Sequence, residues 1–152
     1  MTTPFQRISG KLVKAKIFRN KVTINFNMSS YDWQTGELVD LKIQRDVLCY
    51  PPEPVNQRLV DGKNYLSTDQ IMRIPYTELV TLMADRESDP VIMNNGKRKS
   101  LSEMRPFDPV NGGINTAQDT ITFCGKEYRI AAVRGDSWMN NEPADYYFTL
   151  RS

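Results

Sequence analysis

The chain has no histidine, only two cysteines in 152 residues, and no apolar run approaching the length of a membrane span. Without histidine it lacks both the commonest general base and the commonest nitrogen ligand for metals, which excludes most enzyme templates. Two cysteines cannot build a four-cysteine zinc site, and no carboxylate spacing matches an EF-hand loop, so no metal site is expected. Residues 95–100, NGKRKS, share only a Gly-Lys pair with a phosphate loop; the earlier glycine and the Ser or Thr directly after lysine are missing. No cofactor is implied. Asp85, Glu87 and Asp89 lie close together, but in a polar stretch where solvated turn residues are the ordinary reading. The first residues contain no signal-peptide core, so the protein is expected to stay where it is made or to leave inside a larger particle. With no secretory route, Cys49 and Cys124 are expected to be reduced. Each sits in an apolar strand-like segment, DVLCY or ITFCG, which predicts at least partial burial.

What is present suits one folded domain over residues 1–152. Apolar residues make up 39%, aromatics 10% and charged residues 25%, enough apolar material to offset chain entropy by burial. Lys and Arg total 20 against 18 Asp and Glu, a net charge of +2, so any contact with nucleic acid must be local.

The pattern is mostly that of strands. Residues 11–18 and 21–28 are rich in Val, Ile and Phe, and Val22, Ile24, Phe26 and Met28 share one face; Arg19-Asn20 between them predicts a first hairpin. The turn formers of SSYDWQTGEL then carry Tyr31 and Trp33. Residues 38–50 read as a long strand, and the prolines at 51, 52 and 54 are expected to stop its ladder. Ile71 and Ile74 mark a short strand ending near Pro75, and Leu79, Val80, Leu82 and Met83 form one stripe of a short helix. Residues 94–118 hold Gly96, Pro106, Pro109, Gly112 and Gly113 with few apolar residues, a long loop with a basic tip at Lys97, Arg98 and Lys99. Residues 119–123 and 127–133 predict a hairpin around Gly125, a polar loop carries Trp138 and Met139, and residues 145–151 form a last strand. The expected fold is mainly β: a small antiparallel β-barrel or sandwich with one short helix and long loops.

Aromatic residues are more often core than contact surface, and exposed rings beside Lys and Arg can also stack bases, but Trp and Tyr in polar turns are enriched at protein-binding hot spots; Tyr31, Trp33, Trp138 and Met139 are the candidate interface residues, with core packing and base stacking as the alternatives. Lys97, Arg98 and Lys99 are the candidate DNA-facing residues; a solvated charge run is the plainer alternative.

Three pieces in this order resemble the head-closure proteins of tailed bacteriophages, the stopper or neck components below the portal. They are the turn Tyr31-Asp32-Trp33-Gln34-Thr35-Gly36-Glu37, the strand Asp69-Gln70-Ile71-Met72-Arg73-Ile74-Pro75, and the ending from Asp119 through Gly125, Tyr128 and Ile130 to Tyr147-Phe148-Thr149-Leu150-Arg151. The resemblance covers most of the chain except about residues 84–118, and the Pro-rich segment and basic loop depart from it. It implies a non-enzymatic structural protein of the virion neck, made in the host cytoplasm. Such a protein self-associates in a cyclic ring, hexamer or dodecamer, below the portal. There it closes the DNA-filled head and docks the tail or next neck protein. Its partners would be the portal or adaptor above and the tail or neck protein below, with non-specific contact to packaged DNA and no membrane. Two alternatives stay open: a tail-completion or other virion connector, and a single-stranded DNA-binding β-barrel. A steep salt dependence of binding to single-stranded DNA would favour the last.

Overall fold

The computed structural model of the chain describes residues 3–14, 20–32, 36–56, 58, 60–63, 65–84, 91–92, 98–99, 104–136 and 143–152. The elements, in chain order, are α1 (Pro4–Lys14), β1 (Asn20–Asp32), β2 (Glu37–Cys49), β3 (Glu53–Pro54), β4 (Gln70–Pro75), α2 (Tyr76–Ala84), β5 (Val91–Ile92), β6 (Arg98–Lys99), β7 (Thr120–Phe123), β8 (Lys126–Asp136) and β9 (Asp145–Arg151). Seven strands make one antiparallel sheet in the order β2-β1-β7-β8-β9-β4-β3; β5 and β6 pair separately. The sheet is not closed into a barrel.

Alternation builds the core. Val22, Ile24 and Phe26 of β1 are buried on one face, Met28 packs against them, and Ile43 and Val47 of β2 continue the layer. Met72 and Ile74 of β4, Ile121, Ile130, and Tyr146, Phe148 and Leu150 of β9 complete the sheet's contribution, and Leu79, Leu82 and Met83 of α2 cover it. The stripe expected on α2 is therefore the face it buries. Tyr76, Phe107 and Tyr146 form an aromatic cluster beside it, with ring centroids 5.5–6.3 Å apart.

Several expectations need correction. Residues 11–14 belong to a helix, α1, so the described residues hold two helices where one was expected; residues 15–19 lie outside them. The reason is local: Thr3 and Gln6 form a reciprocal capping box, Thr3 N–H donating to Gln6 Oε1 at 2.8 Å and Gln6 N–H to Thr3 Oγ1 at 3.2 Å, with Pro4 at the first helical position. The first hairpin is consequently β1–β2, in register from Asn20 opposite Cys49 to Asp32 opposite Glu37, and the aromatic turn is its tip. The ladder of β2 ends at Cys49, before the prolines as expected, but the proline segment adds a short pairing of its own. Glu53 and Pro54 pair with Ile71 and Gln70 at the sheet's edge, where a missing N–H is tolerated. Within 94–118, Arg98 and Lys99 pair with Ile92 and Val91, and residues 105–118 are irregular chain with turns at 109–113 and 116–118.

Cys124 is exposed, against the expectation of burial. It is the first residue of a two-residue hairpin turn, with φ 50° at Cys124 and 77° at Gly125, so its side chain leaves beyond the end of the ladder. Cys49 is buried at the end of β2, and burial pushes its thiol up to about 12. Both cysteines are free.

Candidate interaction surface

Two surfaces stand out, and each is held in place by buried polar groups. The first is the β1–β2 arm. β1 pairs with β7 only from Thr23 to Asn25, whereas its ladder with β2 continues to Asp32. The arm is fastened where it leaves β7. Asp119 accepts the Asn27 N–H at 3.1 Å and the Asn115 N–H at 2.8 Å, and takes a two-pronged ion pair from Arg105 at 2.7 and 3.0 Å; Arg105 also donates to Asn27 O at 3.1 Å. The Asp119 side chain is fully buried, and each carboxylate oxygen takes two donors, so the charge is matched. An open groove lined by Met28, Ser29, Asp40 and Lys42 runs along the arm's base. Beyond it, residues 30–32 paired with 37–39 extend about 10 Å at the rise of a strand.

Tyr31 lies opposite Leu38, one pair from the end of this arm. Register thus places it beside the turn that contains Trp33, which itself lies outside the described residues, as do Trp138, Met139 and Lys97. Arg98 and Lys99 form β6, apart from the main sheet. Asp85, Glu87 and Asp89 also lie outside. Among the described residues no group of three or more Cys, Asp or Glu is placed to hold a metal ion, and no helix is long and apolar enough to cross a membrane.

The second surface is α1, which the strand reading of residues 11–18 missed. Its polar side faces the protein. Gln6, fully buried, donates from Nε2 to Pro143 O at 2.7 Å; Ser9 Oγ donates to the Asp145 carboxylate; and Tyr50 OH donates to Ser9 O at 3.0 Å. The Arg73 guanidinium lies 3.8 Å from the Tyr50 ring centroid and 4.0 Å from Asp145, adding a cation–π contact and a long ion pair to the same seat. Burial nevertheless pushes the Asp145 carboxyl above its ordinary value. Gly10 brings α1 against α2, where an added Cβ would meet Thr77 Oγ1. Val13 alone supplies a fully buried apolar side chain from the helix.

The apolar residues left over point outward: Phe5 is 54% exposed, Ile8 53% and Leu12 44%. Their i, i+3, i+7 spacing puts them on one stripe. Of the four exposed large hydrophobic residues among the described ones, these are three; the fourth is Val110, 66% exposed. Arg7 and Lys11 are exposed on the same helix, which has no acidic residue. Such a stripe is the anchor pattern by which helices engage protein grooves. The available signal was the Thr3-Pro4-Phe5-Gln6 capping box, which starts a helix whose apolar residues then fall on one side.

Compared with known proteins, the chain matches no family model, no curated protein and no solved structure.

Proposed function

We propose that this chain is a structural connector of a tailed-phage virion neck, one subunit of a ring below the portal that closes the DNA-filled head and docks the tail or next neck protein. The observation that carries the reading is the β1–β2 arm, a paired projection that continues past β7 and ends in an aromatic turn. An isolated two-stranded extension buries little of its own surface, so its length is best supported by contacts with a neighbour. The order of the turn, the middle strand and the closing β7-β8-β9 meander also supports the resemblance to head-closure proteins.

The test uses particles. Trp33→Ala and Trp138→Ala, each confirmed folded by circular dichroism, are expected to reduce incorporation into particles and the yield of filled heads that attach tails. Burying one such ring is worth roughly 1.5 to 3 kcal/mol, a loss repeated at every subunit of a ring. Replacing Lys97, Arg98 and Lys99 together with serine is expected to leave incorporation intact and weaken DNA retention. Normal incorporation and tail attachment by both tryptophan variants would overturn the assignment of these turns as interfaces. Absence of the wild-type chain from every virion-related assembly would overturn the connector reading itself.

A further inference from the structure

We propose that copies of this chain join head to tail through a second contact, in which the outward stripe of α1 on one copy packs over the Pro109–Val110 turn of the next. The contact rests on the connector reading, which requires subunits that repeat around an axis, and names the surfaces that meet.

A ring contact needs two different patches on one chain that are complementary to each other. The described surface supplies such a pair. Phe5, Ile8 and Leu12 form an apolar stripe beside the cations Arg7 and Lys11; Val110 is the other exposed large apolar side chain, beside the exposed anion Asp108. Asp108 Oδ1 accepts the Val110 N–H at 2.9 Å, which fixes the turn with Val110 at its crest. Both patches are anchored to the start of β9. Asp145 accepts from Ser9 of α1, while Tyr146 OH donates to Pro109 O at 2.7 Å. Both segments also abut α2, but at different positions: Gly10 faces Thr77, whereas Gly112 faces Leu79, two residues and so about 200° further around the helix, which puts α1 and the 108–112 turn on different sides of α2.

Charge selects among possible occupants. Packing α1 against α1 of a second copy would set Arg7 and Lys11 against their own copies, whereas Asp108 offers the opposite sign. An anionic bilayer would also attract a basic amphipathic helix, and vesicle binding by a chain that stays monomeric is the outcome that would favour it.

Sedimentation velocity over a concentration series tests this with the full-length protein. Two variants are compared: one with Phe5→Ser and Ile8→Ser, the other Val110→Asp. All three positions are exposed, so folding should survive, and a thermal melt checks it. Wild type is expected to associate with increasing concentration, and each variant alone to associate at least about tenfold more weakly. A mixture of the two variants is expected to associate more tightly than either alone, because each mixed pair of chains regains one intact α1–turn contact. Association of the Val110→Asp variant equal to wild type would overturn the proposal in favour of α1 pairing with α1. A wild-type monomer at every concentration would overturn it too, whether or not it binds phosphatidylglycerol vesicles through α1. None of these residues is in the arm or the tryptophan turns, so failure here with defective Trp33 particles would remove this contact and leave the connector reading standing.

Discussion

Asp69, Asp119 and Asp145 are all buried, and their partners decide what each does to stability. Asp69 receives Arg151 Nε at 3.0 Å, Arg151 Nη2 at 2.8 Å and the Leu66 N–H at 2.9 Å, tying the end of β9 to the approach to β4. The Arg151 hydrogen bonds hold its carboxyl below the ordinary value. A carboxyl depressed in the folded state contributes stability that is present above its unfolded value and lost as pH falls through the folded one. Asp69→Asn is therefore expected to cost about 2 to 3 kcal/mol at neutral pH and to flatten the acid limb of a stability-against-pH curve measured by urea unfolding. An unchanged midpoint at pH 7 would show that Arg151 finds another partner. Asp145 has the opposite sign: burial raises its carboxyl, so taking up a proton favours the folded state as pH falls, partly masking the loss at Asp69. None of the three could be picked out from sequence, because an Asp before a strand looks the same whether it is solvated or clamped by an arginine from another segment.

At the scale of elements, legibility followed how locally each was encoded. β1, β2, β4, α2 and the β7–β8 hairpin carry their own alternation, period or turn residues, and all lie close to where the sequence puts them. The helix α1 does not announce itself, because Phe5, Ile8 and Leu12 face outward while its buried face is Gln6, Ser9, Gly10 and, of its large apolar residues, only Val13. Reading apolar residues as inward-facing was the step that failed, and with it the α1 surface was lost. The sequence places Tyr31 in a polar turn that starts at Ser29, whereas the ladder runs on through Asp32 and holds Tyr31 in β1, because pairing with 37–40 outweighs the turn preference of the serines; the clamp at the arm's root is not legible either, since Arg105 and Asn27 meet only in the fold. The α1–α2 contact gives a sign that helix propensity alone would get wrong. Gly→Ala within a helix ordinarily stabilises by about 1 kcal/mol, but at Gly10 the new methyl meets Thr77 Oγ1, a buried hydroxyl with no hydrogen-bond partner among the described residues. Gly10→Ala is expected to lower the melting temperature, and Gly10→Ala with Thr77→Ala to recover it to wild type or above. If the double variant is no better than the single one, the helices are not held apart by that contact.

Across the whole molecule, the sheet order couples the two ends of the chain. The hairpin β1–β2 is local, and so is the meander β7-β8-β9, but the sheet is continuous only because β1 lies beside β7, with Asn25 bonded to Thr120 across 95 positions of sequence. Everything between, including the segment 104–114 that packs on α2, is an excursion that leaves one side of this seam and returns to the other. Closing so large a loop costs entropy before any core contact repays it, so the meander is expected to protect its amides earlier than the β1–β7 seam in a pulsed hydrogen-exchange refolding experiment. Simultaneous protection of both would point to a single collapsed nucleus. During synthesis the same topology acts as a timer. At about 5 to 20 residues per second, the ribosome needs roughly 5 to 20 s after β1 emerges to deliver its partner. Through that interval the nascent hairpin carries an unpaired edge next to Val22, Ile24 and Phe26, and crowded neighbours on one messenger could pair with it before the chain's own β7 arrives.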